Sequence, residues 1–339
     1  MRKKLKVAIN GFGRIGRCVF KAYLSRFHEL DIQITKINCG RGSIDDRLYS
    51  LVYDSVHGTL MGDMRVLSHD TFLFNGEKFA MLFENNIQNI DWDVDIILEC
   101  TGQLNSKKLS FSHIESGAKK VIVSAPCQDA DSTIILGVNE NVLKSADQVI
   151  SIGSCTTNCI APLAKIINNY LGIESGYMTT IHSYTNDQSL VDSYHKDKRR
   201  SRAAALSIIP ATTGAAKSIG IVIPELEGRI DGAAFRVPVP NVSVVDFKFN
   251  SKNSTSVKEI NELFEMQSKR SSGILSICRD ELVSSDFIGS SHSAIFDPSQ
   301  TSVLKDQKTC RVVAWYDNEF GFSHRMLELA SMLNSDGLK

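Results

Sequence analysis

The run from Leu5 to Gly16 constrains the fold more than any other: an apolar stretch ends at Asn10 and opens into Gly11-x-Gly13-x-x-Gly16. A helical pattern from Cys18 to Arg26 follows at once. In that setting the three glycines serve, in turn, a tight turn, close backbone approach to a pyrophosphate, and close packing of helix on strand. Amides at the helix start then face the phosphates. A bare glycine triplet also suits a surface turn, but the strand before it and the helix after it favour a dinucleotide-binding unit.

Further apolar runs at Ile32–Ile37, Val94–Leu98, Val121–Val123 and Val149–Ile152 are separated by segments long enough for crossovers. They predict parallel strands buried on both faces, hence an α/β chain that begins with a Rossmann doubly wound parallel sheet domain. The second half changes character: Tyr177–His182, Ala233–Val237, Val242–Phe249 and Arg311–Tyr316 are β-branched or alternating, with one amphipathic helix at Val257–Gln267. That pattern predicts an α+β domain with a mostly antiparallel sheet covered by helices. At 339 residues the chain exceeds the size at which one core keeps growing. The expected division is 1–154, joined by a closing helix at about 318–339, and 155–317.

Balanced charge, 38 basic against 38 acidic residues, gives no global field to recruit nucleic acid or an anionic membrane. The first apolar run, Val7 to Ile9, is too short for a signal core or a span, so a cytoplasmic protein is expected. Eight cysteines without an export signal are expected to be reduced thiols, and their spacing suggests no metal site.

A dinucleotide fold usually places an acid at the end of its second strand, about 20 residues beyond the glycines, to bind the adenosine ribose. Here that end reads Ile37, Asn38, Cys39, Gly40, Arg41, with Ser43 just beyond. Without a carboxylate, Arg41 can pair with a 2′-phosphate and NADP fits; with Arg41 as a solvated loop residue, NAD still binds. Both cofactors stay open.

The segment SIGSCTTNC, Ser151 to Cys159, follows an apolar strand and leads into a helical run ending near Tyr170. Ser154 as N-cap puts Cys155 in the first turn, where free amides and the helix dipole favour a thiolate. Cys159, one turn further in, reads as buried and inert. His182, at the end of the strand-like TTIHSYT, can serve as base.

Taken together, INGFGRIGR, YDSVHG (Tyr53–Gly58), SCTTNC, TTIHSYTNDQ, TTGAAK (Thr212–Lys217), RVPVPNVSVVD (Arg236–Asp246) and WYDNEFGFSHR (Trp315–Arg325) resemble the glyceraldehyde-3-phosphate dehydrogenase family from first strand to last helix. The resemblance implies a phosphorylating enzyme in which Cys155 attacks the aldehyde, His182 is the base, and phosphate releases an acyl phosphate. It implies glyceraldehyde 3-phosphate and inorganic phosphate as substrates and NAD or NADP as cofactor. Thr185 and Arg236, with Asp187 and Arg200 nearby, resemble the substrate-phosphate pocket. Ser154, Thr156, Thr213 and Gly214 resemble the pocket for the attacking phosphate. Phe12, Arg14 and Ile15 resemble contacts to adenosine and pyrophosphate, Thr101, Gly102 and Ser124 line the same groove, and Asn318 resembles the residue that holds the nicotinamide carboxamide.

The resemblance also makes 155–317 a catalytic and oligomerisation domain of a homotetramer. There are departures: Cys39 stands where most relatives have aspartate, Asn85 where an arginine usually helps hold adenine, and Ser193 and Tyr194 where NAD-specific members carry aliphatic and proline residues. Polar residues there accompany NADP use in some relatives. The basic run His195–Arg202 lies in the same loop and reads as interface or intra-loop charge, not as a nucleic-acid patch. Erythrose-4-phosphate dehydrogenase shares SCTTNC and the histidine segment but usually uses water; the intact Thr212-Thr213-Gly214 favours phosphate. A secondary role as a surface or RNA-binding protein is the reading from another class.

Overall fold

Burial on both faces explains why the early strands read as unbroken apolar runs: Val7, Ala8 and Ile9 in β1 (Leu5–Asn10) have no exposed surface. The structure, a computed structural model, describes residues 3–271 and 273–336. The chain forms two compact units, one of 1–134, 141–153 and 323–339, the other of 135–140 and 154–322.

In the first unit β1 is followed by β2 (Ile32–Asn38), β3 (Met64–Ser68), β4 (Thr71–Phe74), β5 (Glu77–Leu82), β6 (Val94–Glu99), β7 (Ala118–Val123), β8 (Ser132–Thr133) and β9 (Val149–Ser151). Their spatial order is 3-4-5-2-1-6-7-9-8. β1 pairs in parallel with β2 on one side and β6 on the other, so strand order reverses at β1, the place where such sheets leave a crevice for a ligand. The antiparallel ribbon β3–β4–β5 extends one edge and does not follow from the apolar runs. Its tight turn is Asn75-Gly76, with φ of 48° and 84°, the left-handed pair a two-residue hairpin turn needs. Helices α1 (Arg14–Arg26), α2 (Ile44–Val52), α3 (Lys107–Ser110) and α4 (Ser112–Glu115) complete the crossovers.

One buried carboxylate ties α1 to the segment after α2. Asp54 accepts from Arg14 Nη1 at 2.8 Å, Lys21 Nζ at 3.1 Å, and the amides of Val56 and His57 at 2.9 and 3.1 Å. Burial alone would raise its carboxyl, but Arg14 and the two amides outweigh burial and hold it below the ordinary carboxylate range. Its contribution is therefore complete above the unfolded carboxylate pKa and is lost as pH falls through the depressed folded value. Asp54→Asn, which leaves the buried Lys21 ammonium without its counter-charge, is expected to destabilise the unit by about 3 kcal/mol. Urea unfolding at neutral pH measures this, and the difference from wild type should shrink as pH falls.

The second unit holds α5 (Cys155–Tyr170), β10 (Ile173–Ser183), β11 (Ile209–Thr212), α6 (Ala215–Val222), β12 (Ile230–Val237), β13 (Ser243–Ser251), α7 (Val257–Ser268), β14 (Leu275–Ile277), β15 (Ala294–Phe296), β16 (Ser302–Val303) and β17 (Thr309–Tyr316). The sheet is mostly antiparallel; β10–β12 and β14–β15 are its parallel pairs. α5, α6 and α7 bury Ile160, Leu163, Ile219, Ile260 and Phe264 against Val245, Phe247 and Val312 of the strands. The last helix, α8 (Phe320–Asp336), belongs to the first unit from Ser323 onward. Among the described residues no helix is long and apolar enough to cross a membrane.

Candidate active site

Ser154 caps α5 as its sequence position suggests: its Oγ accepts from the Thr157 amide at 3.0 Å. This starts the helix at Cys155 and leaves that residue partly open, while Cys159 is fully buried one turn on. β10 runs back beside the helix and carries, one residue before its end, His182, whose Nε2 lies 3.4 Å from Cys155 Sγ.

His182 Nδ1 is 2.7 Å from Ser183 O, and in the tautomer in which it donates to that carbonyl, Nε2 presents a lone pair to the thiol. Arg236 Nη1, from β12, is 2.8 Å from the same Nδ1 and 3.0 Å from Ser183 O. With Nδ1 protonated, the guanidinium donates to the carbonyl.

Electrostatics place this pair on the neutral side at rest. Burial pushes the Cys155 thiol up, and the Arg236 guanidinium pulls it back. Burial, then Arg236, lower His182 to about 3, against a small raising effect from Ser183 O. The Cys155 and Thr156 amides at the start of α5 pull the thiol down in the same sense as Arg236, by less than burial pushes it up. A thiolate there is paired with an imidazolium and faces a guanidinium, so each charge offsets the desolvation of the other.

Tyr316 is not among the sequence candidates. Its buried hydroxyl lies 2.9 Å from both Thr156 Oγ1 and Thr180 Oγ1, joining the first turn of α5 to β10 just before His182. Thr156 therefore turns its side chain inward and has its amide to offer an anion.

Arg200 donates to Asp187 and lies 3.5 Å from Asp197, so its charge is already shared between two carboxylates. Thr185 is half-buried at the start of the same loop. Arg236 keeps a buried Nε without an acceptor, the kind of orphan donor a phosphate oxygen satisfies. Thr213 Oγ1 accepts from the Ala215 amide at 3.2 Å, and Gly214 is the exposed N-cap of α6.

Asn318 is fixed by two hydroxyls: Ser183 Oγ and Ser243 Oγ each donate to its Oδ1 at 2.9 Å. Its Nδ2 is thereby the group left to donate elsewhere. Ser243 follows Val242, a β-branched residue at φ 67°, a strained conformation held by packing with Cys278, Phe287 and Ile295.

In the first unit the glycines behave as the motif asks. A Cβ on Gly11 would lie 2.7 Å from Thr101 N, and one on Gly16 would lie 2.0 Å from Gly11 O. Gly13 caps α1 with no side-chain acceptor, and a Cβ there would meet nothing within 4 Å. The amides of Gly13, Arg14 and Ile15 at the start of α1 and that open cradle fit a pyrophosphate. Phe12 is buried beneath them, with Phe20 at 5.9 Å between ring centroids.

Asn10 donates to Glu99 Oε2 at 2.6 Å, Asn38 donates to Asn10 at 2.8 Å, and His113 Nε2 lies 2.9 Å from Glu99 Oε2, so a buried polar chain ties the ends of β1, β2 and β6. Thr101 spends its hydroxyl on Glu99, leaving exposed Gly102 and half-buried Ser124 as open groove positions. Cys39 is buried, Asn85 Oδ1 is 3.5 Å from where a Cβ on Gly40 would sit, and Arg41 is exposed.

A Rossmann unit and a thiol–imidazole pair in one chain define a class, the nicotinamide-dependent oxidoreductases acting on aldehydes. Two family models match: the glyceraldehyde 3-phosphate dehydrogenase NAD binding domain over residues 5–107 and the C-terminal domain over 154–318. The chain is 46% identical over 332 residues to "Glyceraldehyde-3-phosphate dehydrogenase 2" of Bacillus subtilis (strain 168), covering 96% of each chain. It is 45% identical over 339 residues to "Glyceraldehyde-3-phosphate dehydrogenase" of Geobacillus stearothermophilus, covering 98% of this chain and 99% of the relative. The chain belongs to the glyceraldehyde-3-phosphate dehydrogenase family, and NAD or NADP is its cofactor.

Proposed function

We infer that the protein is a phosphorylating glyceraldehyde-3-phosphate dehydrogenase, reversible, in glycolysis or gluconeogenesis. The observation that carries the chemistry is the 3.4 Å contact between Cys155 Sγ and a His182 Nε2 whose partner nitrogen is tied to Ser183 O. His182 takes the thiol proton as Cys155 Sγ bonds to the aldehyde carbon and returns it to the aldehyde oxygen, giving a thiohemiacetal whose oxygen is met by the Cys155 amide. A bound nicotinamide supplies the hydride acceptor. As the hydride leaves carbon, His182 takes the hydroxyl proton, and a thioester remains on Cys155. A phosphate oxygen then attacks the thioester carbon and the Cys155 thiolate leaves, releasing 1,3-bisphosphoglycerate.

In this reading Arg236 and Thr185, with Arg200 nearby, receive the substrate phosphate, and the orphan Nε of Arg236 supports that role. Ser154, Thr156, Thr213 and Gly214 receive the attacking phosphate. Ser154 and Thr213 accept from the Thr157 and Ala215 amides, and each hydroxyl still carries a hydrogen to donate to a phosphate oxygen. Asn318 holds the nicotinamide carboxamide through Nδ2, and Gly11 to Gly16, Cys39, Arg41, Thr101, Gly102 and Ser124 line the dinucleotide groove. The corresponding domains are 1–154 with 318–339 for the cofactor and 155–317 for catalysis and oligomerisation.

The assembly is a cytoplasmic homotetramer, with no nucleic acid partner. Exposed Leu190, Val191, Tyr194, Leu206 and Ile208 support burial of their loop against another copy. Asp192 pairing with Arg202 and Asp187 with Arg200 supports reading the basic run as intra-loop charge.

The deciding experiment is turnover of glyceraldehyde 3-phosphate with and without inorganic phosphate. Steady turnover is expected only with phosphate or arsenate; undiminished turnover without either would point to water as acceptor, as in erythrose-4-phosphate dehydrogenase, and overturn the phosphorylating assignment.

A further inference from the structure

The end of β2 holds a cation that no protein group neutralises. Arg47, in the first half of α2, lays its guanidinium against Gly42, where a Cβ would stand 3.3 Å from both Nε and Nη2. Nη2 donates to the Arg41 carbonyl, whereas Nε is buried with no acceptor. Among the described residues no carboxylate lies within ion-pair distance of it.

Arg17 in α1 repeats the pattern: Nη1 donates to Phe12 O at 3.1 Å and Nε is buried without an acceptor. The two guanidiniums are close enough to repel each other, and Arg14, also near, is committed to Asp54. Asp54 also attracts Arg17 but is already shared by Arg14 and Lys21, and a fold that keeps partly buried like charges with so little counter-charge is prepared for an anion.

The strand end itself offers no negative charge. Burial pushes the Cys39 thiol up to about 12, with Arg47 pulling it back, so it is neutral where a carboxylate would repel a phosphate. Asp45 and Asp46 are exposed at the start of α2, and Asp46 accepts from Ser43 Oγ at 2.7 Å.

We propose that Arg47, backed by Arg17, receives the 2′-phosphate of the adenosine ribose, so that the chain prefers NADP to NAD. The inference rests on the NAD(P) crevice at the ends of β1 and β2 and adds the choice between the two cofactors. A planar guanidinium with an unused Nε–H matches phosphate oxygens in a fork, and the missing side chain at Gly42 leaves that face clear. Arg41, the sequence candidate for this role, lends its carbonyl to orient Arg47.

Calorimetric titration of the full chain with adenosine 2′,5′-bisphosphate and with 5′-AMP, for wild type, Arg47→Gln and Arg47→Lys, tests this. Wild type is expected to bind the bisphosphate at least about tenfold more tightly than AMP, the scale of one charge-assisted contact. In Arg47→Gln that advantage should vanish while AMP affinity holds within about twofold, which also reports an intact fold; Arg47→Lys should keep part of it. Equal affinities in wild type, or an unchanged bisphosphate advantage in Arg47→Gln, would overturn the proposal and leave the dehydrogenase reading standing. A wild-type protein that binds neither ligand would overturn the nucleotide reading as well.

Discussion

Cys155→Ser is expected to lower phosphate-dependent oxidation by about 10⁴-fold or more, with the fold intact by circular dichroism. Serine keeps the shape of the site and removes two properties. Its hydroxyl is far harder to ionise beside an imidazole that burial holds near 3, so little nucleophile forms. Any ester that did form would also release an alkoxide in place of a thiolate, slowing attack by phosphate. Steady-state rates under saturating substrate, cofactor and phosphate measure the effect. A variant within tenfold of wild type would remove Cys155 from the chemistry.

His182→Asn should cost about 10²- to 10⁴-fold, the range for a positioned general base, and should also change the pH profile. In wild type the rate rises with pH as the thiol, raised by burial, ionises with Nε2 as partner. Without the imidazole the thiol has no base to take its proton and must ionise to solvent against the burial penalty, so the rising limb moves to higher pH. Arg236 remains in place and limits that displacement. A uniform loss at every pH would assign His182 a positioning role only. Alkylation of Cys155 by iodoacetamide across pH gives the same displacement without turnover.

Much of this architecture is legible in the residues. Apolar runs at Leu5–Ile9 and Val94–Leu98 mark buried parallel strands because burial on two faces removes the polar alternation. The ribbon at Met64–Leu82 lacks that mark because β3 is largely exposed and β4 and β5 bury alternate residues only, and Asn75-Gly76 is the local signal of its turn. Ser154, Cys155 and His182 stand out by type and context, since a cap and a strand end are local features.

Long-range register hides the rest. Tyr316 reaches Thr156 and Thr180 because β13 pairs with both β10 and β17, which no local pattern encodes. Ser183 and Ser243 meet on Asn318 through the same pairing. Arg47 is hidden for a different reason: an arginine near the start of an exposed helix reads as solvent-facing, and only the close approach to Gly42 makes it a site. Positive charge at the strand end is expected from the sequence at Arg41, six positions from the residue whose Nη2 its carbonyl holds.

Helix α8 carries a further consequence, for the order of events during synthesis. From Ser323 onward it packs within the first unit: Glu328 pairs with Arg26 at 2.7 Å, Ser331 Oγ accepts from the Asp31 amide at 2.9 Å, and Asn334 Nδ2 donates to Asp31 O at 3.0 Å. The first strands to leave the ribosome thus wait for residues 323–334 before their sheet is covered, while residues 154–322 are translated in between. Vectorial folding, which usually lets an amino-terminal domain finish first, meets the opposite order of translation here: the last residue of the inserted second unit is added before the first unit is complete. During that interval the nascent first unit exposes the surface α8 will cover, and this is the stage at which a chaperone has most to shield.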